Sequence, residues 1–202
     1  LPGNFLPLNI FEPRYRNMVA DVLKGDRLIG MVQPRLPGPD NFGVSDEARP
    51  ELYSVGCAGV IEERERQEDG RYLSVLKGTC RFRIQSEIDE RRGYRRVVAG
   101  FDEFVIDLQP PDEELDRPVL LAAIEAFSAD HGLEFDRDLL AALPPLNLLH
   151  AVAAALPFTP EEKQALLEAP SPEERQQTLL TLMGMSFQER PPKLGDPPPL
   201  IN

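Results

Sequence analysis

The sequence predicts an α+β fold, with an antiparallel sheet or barrel first and a small α-helical bundle after it. Up to Pro110, short apolar runs are separated by turn residues, which is typical of strands. After Pro111, apolar residues recur at helical spacing between short, proline-marked connections. Residues 1–110 carry 16 basic and 18 acidic side chains, whereas residues 111–202 carry 6 and 16. The acidity of the chain, a net −12, therefore belongs mainly to the predicted bundle.

The first predicted element is an extended segment that leads into a helix. Apolar residues alternate with others over residues 6–10, which predicts a half-buried strand or sheet edge. Pro13 suits a first helical position, because its missing amide would have no partner there and its φ is already fixed. Apolar residues at helical spacing over 15–23 predict one core-facing side. Gly25 is predicted to end this helix by taking a positive φ.

The rest of the first half is predicted to be strands. They cover residues 28–32, 54–61, 72–76, 80–88 and 97–108. Arg92 and Gly93 supply a turn, and residues 34–50 form a long loop of the kind that often carries function. Several strands with little helix between them favour an antiparallel sheet or barrel.

The second half is predicted to be helical. The helices cover residues 116–129, 137–143, 146–156, 160–168 and 172–183. Thr159 and Ser171 are each followed by Pro-Glu-Glu, the pattern of a capping box with proline at the first helical position. We therefore expect three parts: a β subdomain over 1–110, a helical subdomain over 111–190 and a proline-rich extended tail over 191–202.

Composition narrows the functional classes. No apolar run approaches the length that spans a membrane, and the start lacks a signal-peptide pattern. Cys57 and Cys80 are too few for a disulfide scaffold and lack zinc-site spacing, so two reduced, buried cysteines are expected. These features predict a cytoplasmic protein that binds no metal and no cofactor. The acidic second half should repel nucleic acid and anionic membranes.

Several motifs occur in order along the chain. They are Leu6-Pro-Leu-Asn-Ile-Phe-Glu-Pro-Arg-Tyr15, Val55-Gly-Cys-Ala-Gly-Val-Ile61, Leu76-Lys-Gly-Thr-Cys-Arg-Phe82, Ala155-Leu-Pro-Phe158 and Glu162-Lys-Gln-Ala-Leu-Leu-Glu168. Together they resemble the substrate-binding, N-terminal domain of Lon proteases. The resemblance implies a PUA-like, twisted β-barrel with an inserted helix, followed by a helical bundle. The sequence lacks the upstream strand of the family and its ATPase and peptidase domains, so a stand-alone relative or an excised domain is expected.

An inventory of catalytic motifs argues against an enzyme. No P-loop is present, and Lys77-Gly-Thr79 has the motif's order reversed. No lysine stands in a context that resembles Lon's Ser and Lys peptidase motifs. His131 precedes Gly132 and is expected to end a helix, while His150 on an apolar helix is expected to be a satisfied core or interface residue.

The favoured function is a recognition module for unfolded or partly unfolded proteins, with a separate ATPase-protease as a candidate partner. A barrel edge, or the cleft between barrel and bundle, could hold such a peptide through backbone hydrogen bonds and apolar pockets. The candidate contact residues are the aromatics Phe11, Tyr15, Phe42, Tyr53 and Tyr94. Each has the alternative of being a core residue.

The alternative function is RNA binding, since PUA-like barrels in other families bind RNA. The residues for it are Arg91, Arg92, Tyr94, Arg95 and Arg96, which could hold phosphates and stack a base. The competing interpretation is a solvated turn whose arginines are offset by Glu87, Asp89 and Glu90. We rank nucleic-acid binding second, because one basic turn on an acidic chain gives a small electrostatic attraction.

Overall fold

The computed structural model describes residues 1–35, 50–67, 71–109 and 115–188. The first part contains strands β1 (Phe5–Ile10), β2 (Leu28–Met31), β3 (Val55–Arg66), β4 (Tyr72–Arg91) and β5 (Tyr94–Gly100). Helix α1 (Pro13–Val22) is inserted between β1 and β2, and a 3-10 helix (Asp102–Leu108) follows β5. The remaining helices are α2 (Arg117–His131), α3 (Arg137–Ala142), α4 (Pro145–Ala155), α5 (Pro160–Glu168) and α6 (Pro172–Gln188).

All strand pairs are antiparallel. The strands lie in the order β1-β4-β3-β2, and β5 pairs with the distal half of β4. This sheet, followed by the helices, confirms the α+β class and the inserted helix. The predicted boundary near residue 110 stays a prediction. The predicted tail and most of the predicted 34–50 loop lie outside the described residues.

Strand β4 corrects the prediction of two separate strands over 72–76 and 80–88. It runs unbroken for 20 residues, and its register against β3 shifts between Ala58 and Gly59. Thr79 is the extra residue at this bulge, and its hydroxyl donates to the Ala58 carbonyl oxygen over 3.0 Å. A bulge therefore accommodates Lys77-Gly-Thr79 inside the strand, where the sequence suggested a connection.

The prediction of a strand over 97–108 is wrong beyond Gly100. Residues 102–108 form the 3-10 helix, with a kink at Phe104 where φ is −121° and ψ is 21°. Phe104 is buried against Cys80, and three residues later Asp107 meets Arg81. Side chains three apart share one side of a 3-10 helix but point to opposite sides of a strand.

The ends of the helices mostly follow the predicted signals. Thr159 and Glu162 form the reciprocal capping box at the start of α5, and Ser171 accepts from the Glu174 amide over 3.3 Å. The exception is Gly25: α1 ends at Val22, and the residue with a positive φ in this connection is Arg27, at 59°.

Two main cores form. In the sheet, α1 packs through Val19 on one face, over buried residues that come from β1, β2, β3 and β4: Ile10, Ile29, Ile61 and Leu76. In the bundle, α2, α4, α5 and α6 contribute fully buried apolar residues that include Leu120, Ile124, Phe127, Leu148, Leu149, Leu166 and Leu179. A smaller cluster of Val55, Cys80 and Phe104 contacts Leu167 of α5 and joins the two parts.

A buried arginine of β4 also connects the sheet to the bundle. The Arg81 guanidinium is inaccessible to solvent and forms a two-pronged ion pair with Asp107, with Nε to Oδ2 and Nη2 to Oδ1 both 2.9 Å. It also donates to the carbonyl oxygens of Leu167, Ala169 and Pro170, at the end of α5. One side chain thus satisfies backbone groups that the last turn of α5 leaves open.

His150 of α4 is the satisfied core histidine that the sequence predicted. Its Nδ1 lies 2.7 Å from the Pro2 carbonyl oxygen and its Nε2 lies 2.7 Å from Nη1 of Arg175. A carbonyl only accepts and a guanidinium only donates, so the ring is neutral with its proton on Nδ1. Burial, followed by the charge of Arg175, lowers the pKa of His150 to about 3. Both ring nitrogens are therefore used structurally at physiological pH.

Candidate peptide-binding surface

A strip of apolar side chains lies on the face of the sheet opposite α1. Along β1 alternate side chains share a face, so Phe5 and Pro7 lie on the face away from the buried Ile10. In the antiparallel register, Phe5 pairs with Lys77 of β4 and Pro7 pairs with Val75. Phe11 directly follows β1 in sequence and is exposed. The apolar strip comprises Phe5, Pro7, Phe11, Leu73 and Val75.

Three members of the apolar strip are among the exposed large apolar side chains of the described residues, while Val75 is half-buried. Phe11 is 62% exposed, Phe5 is 59% exposed and Leu73 is 44% exposed. Leu73 pairs with Asn9, which is two residues before Phe11 in sequence. Contiguous exposed apolar side chains of this kind mark interaction surfaces more often than isolated ones do.

Charged groups border the apolar strip at both ends. The Lys77 ammonium lies 5.5 Å from the centre of the Phe5 ring and 3.3 Å from a Glu62 carboxylate oxygen. At the other end, Arg14 lies 2.7 Å from Glu12 and 4.7 Å from the centre of the Tyr15 ring. An apolar centre with a polar border is the usual arrangement of a protein recognition surface.

Two of the five predicted peptide-contact residues are exposed and close together in sequence. Phe11 and Tyr15 lie on either side of the junction between β1 and α1, and both are exposed. Tyr53 is half-buried elsewhere, 5.0 Å from the Arg35 guanidinium. Phe42 lies outside the described residues.

Tyr94, the fifth, is buried beside α1. Its hydroxyl donates to Asp21 Oδ2 over 3.1 Å. Burial and this hydrogen bond raise the pKa of Tyr94 above its ordinary value. The side chain thus already has a structural partner, and a peptide would reach little of it.

The arginines of the β4–β5 turn are occupied by neighbouring groups. Arg92 and Gly93 both take positive φ, 53° and 86°, as a two-residue hairpin turn requires. Arg92 donates to Asp21 over 3.0 Å and to Asn17 over 2.8 Å, which holds the hairpin on α1. Arg91 lies 3.6 Å from Asp21.

The other two arginines of this turn, Arg95 and Arg96, also have partners. Arg95 forms a two-pronged ion pair with Glu87, and Arg96 donates to the Asp89 carbonyl oxygen over 2.9 Å. Arg91, Arg92 and Tyr94 thus form one network around the Asp21 carboxylate, while Arg95 pairs with Glu87 and Arg96 with a backbone carbonyl. The five residues named for RNA binding therefore already have acidic or carbonyl partners.

Asp21 is the centre of this network, and its titration gives a pH prediction. Burial raises its pKa, but the hydrogen bond from Tyr94 and the charges of Arg92 and Arg91 outweigh burial, so the pKa is lowered. A carboxyl with a lower pKa in the folded state stabilises the fold at neutral pH, and this stability is lost as pH falls through the folded pKa. We expect the urea midpoint to fall less between pH 7 and pH 3 for Asp21→Asn than for the unmodified protein.

Urea unfolding at the two pH values measures this difference. Glu125→Gln, in an exposed ion pair with Arg137, is the control and should follow the unmodified protein. Equal losses for Asp21→Asn and the unmodified protein would contradict a stabilising role of the Asp21 carboxylate.

The described residues contain neither a metal-binding cluster nor a membrane-spanning helix. Within 1–35, 50–67, 71–109 and 115–188, no three His, Cys, Asp or Glu side chains are grouped closely enough to hold a metal ion. Among the helices of these ranges, none has the length and apolar character needed to cross a membrane. His131 ends α2, with Nδ1 3.0 Å from the Phe127 carbonyl oxygen, as predicted.

Phe5, Pro7, Leu73 and Val75 were not predicted to be members of the surface. Phe5 belongs to the same alternate set as Pro7 and Asn9, on the face opposite Leu8 and Ile10, so the apolar alternation over residues 6–10 gave no signal for it. The positions of Leu73 and Val75 depend on the register between β1 and β4, more than 60 residues apart in sequence.

Comparisons with known proteins give a consistent result. The family model described as the ATP-dependent protease La (LON) substrate-binding domain matches residues 1–184. Lon protease 1 of Thermus thermophilus is 29% identical over 191 residues, 91% of this chain and 23% of the relative. Lon protease 2 of Syntrophobacter fumaroxidans is 25% identical over 179 residues, 84% of this chain and 21% of the relative. The chain thus spans less than a quarter of the length of these relatives.

Two solved structures share the fold. A Lon N-terminal domain protein from Xanthomonas campestris has a TM-score of 0.61 and 21% identity, with 90% of each chain covered. The N-terminal domain of a Mycobacterium avium complex Lon protease has a TM-score of 0.58 and 19% identity, with 91% of each chain covered.

Proposed function

This chain belongs to the family of LON substrate-binding domains, and from that premise we propose that it is a non-catalytic module that binds unfolded protein segments. The observation that carries the proposal is the apolar strip, an exposed row of aromatic and aliphatic side chains on the outer face of the sheet. Folded proteins hide their apolar side chains, so a surface of this kind selects segments that have lost their fold.

The geometry supports side-chain recognition with little sequence restriction. Phe5 and Phe11 are rigid and large, and aromatic side chains bury much apolar area at low conformational cost. The apolar strip lies on a sheet whose other face is fixed by α1, so a client would meet a preformed surface. Preorganisation of this kind reduces the entropic cost of binding.

The proposed module performs no chemistry itself. In this proposal a separate ATPase-protease does any unfolding or cleavage of a bound client. RNA binding remains the second candidate, and the partners of Arg91, Arg92, Arg95 and Arg96 speak against it. Each of these arginines has an acidic or carbonyl partner, so binding phosphates would first require breaking those contacts.

Binding of an unfolded protein tests this proposal. We expect micromolar affinity, about −8 kcal/mol, for a small disulfide protein that has been permanently unfolded by reduction and alkylation. The same protein in its folded form should bind at least tenfold more weakly, because it lacks free apolar segments. Binding should change little between low and moderate salt, since apolar burial is screened little.

Fluorescence anisotropy of the labelled protein in both forms is the measurement. Equal affinity for the two forms would contradict client recognition. Affinity for a labelled RNA that is lost between low and moderate salt, without binding of the unfolded protein, would favour the second candidate.

A further inference from the structure

The two end strands of the sheet differ in what their free edges offer. In an antiparallel pair, alternate residues direct their backbone groups towards the partner strand and the others direct them away. Next to β1, the Gly78 amide donates to the Asn4 carbonyl oxygen over 2.9 Å, so residues 4, 6, 8 and 10 face β4. Residues 5, 7 and 9 therefore face away from β4, and residue 7 is a proline without an N–H.

Proline at this position blunts the β1 edge. An added strand would find a carbonyl but no donor in the middle of β1. Proline on an outward-facing edge position is a common way in which sheets avoid further pairing. The β1 edge is thus protected against strand addition, even though the side chains beside it are apolar.

The β2 edge has no such protection. The Ile61 amide donates to the Arg27 carbonyl oxygen over 3.0 Å, and the Tyr53 amide donates to the Gln33 carbonyl oxygen over 3.0 Å. The backbone groups of the odd-numbered residues over 27–33 therefore point towards β3 and towards Tyr53, which precedes β3. Leu28, Gly30 and Val32 direct their N–H and C=O groups away from β3, and no backbone partner for them occurs in the described residues.

This edge is also accessible. Gly30 is exposed, and in a glycine the exposed surface is backbone. Leu28 is 45% exposed and Met31 is 40% exposed. Their side chains lie on opposite faces of the sheet, so each face presents an apolar group beside the edge. None of the residues over 28–32 is charged or a proline.

We propose that the free edge of β2 and of Val32, which directly follows it, binds an extended polypeptide as an added β-strand through the backbone groups of Leu28, Gly30 and Val32. Three N–H and three C=O groups at two-residue spacing match the backbone of one extended segment. Leu28 and Met31 contact apolar side chains on the two faces of that segment. This site is distinct from the apolar strip and does not depend on the proposed client binding there.

Alternate N-methylation of a peptide tests strand addition. The probe is a fluorescent nine-residue peptide of alternating threonine and valine with a lysine at each end. An added strand directs only every second N–H towards β2, so methylating one alternate set should weaken binding at least tenfold and methylating the other set less than threefold. Equal effects of the two sets, or no binding of the unmethylated peptide, would overturn the proposal.

Two protein variants place the site. Leu28→Lys puts a charge on the edge and should weaken binding of the unmethylated peptide at least tenfold. Val119→Lys on α2, with matched exposure of 46%, should leave the affinity unchanged. Equal affinities of the two variants would overturn the placement. A dimer of the free protein that Leu28→Lys dissociates would also overturn it, because a second copy would then occupy the edge.

Variants of the apolar strip, such as Phe11→Asp with Leu73→Asp, separate this proposal from the proposed function. Loss of unfolded-protein binding in those variants, with the methylation pattern of the peptide unchanged, supports two independent surfaces. A pattern that disappears in the strip variants would overturn the assignment to β2.

Discussion

Replacing Arg81 with methionine is expected to lower the free energy of unfolding by about 3–5 kcal/mol. The substitution removes the only side chain shown to pair with Asp107 in the described structure, and it leaves that carboxylate in a buried site. It also removes the donor to the carbonyl oxygens of Leu167, Ala169 and Pro170. Urea unfolding at pH 7, followed by circular dichroism, measures the loss.

Two further variants distinguish the loss of a buried ion pair from the loss of an exposed arginine side chain. Arg83→Met removes a neighbouring β4 arginine whose pair with Glu103 is exposed to solvent, and it should cost at most about 1 kcal/mol. The double variant Arg81→Met with Asp107→Leu should recover part of the loss, because it leaves no unpaired charge. A loss for Arg81→Met no larger than that for Arg83→Met would contradict this role of Arg81.

Local sequence signals predicted most of the fold. The starts of α5 and α6 were readable from Thr159 and Ser171, because a cap depends on residues three positions apart. The strands of the sheet were readable from alternation. The helical segment over 102–108 was not readable, since its apolar residues also suit a strand. Its conformation depends on Arg81 and Cys80, more than 20 residues earlier.

The candidate surface was predictable only in part. Phe11 and Tyr15 are exposed, which a peptide-contact role requires, and that role stays a prediction. The burial of Tyr94 was not predictable, since it arises when the β4–β5 hairpin packs on α1 and meets Asp21. The apolar strip itself requires the register between β1 and β4, which no local pattern specifies.

The second large effect is expected for the double variant Phe11→Asp with Leu73→Asp. Each substitution replaces an exposed apolar side chain of the apolar strip with a charge that a bound apolar segment would desolvate. Burial of one such side chain contributes about 1.5–3 kcal/mol, so losing two should weaken binding of an unfolded protein by at least about tenfold, which is 1.4 kcal/mol. The fold should remain, because neither side chain is buried.

The direct test of the central claim is the affinity of this double variant for the reduced and alkylated protein, compared with Leu139→Asp. Leu139 on α3 is 59% exposed, close to the 62% of Phe11, and it lies on the bundle. Binding through the apolar strip predicts that anisotropy shows at least a tenfold weaker Kd for the double variant and an unchanged Kd for Leu139→Asp. An unchanged Kd for the folded double variant would contradict the account.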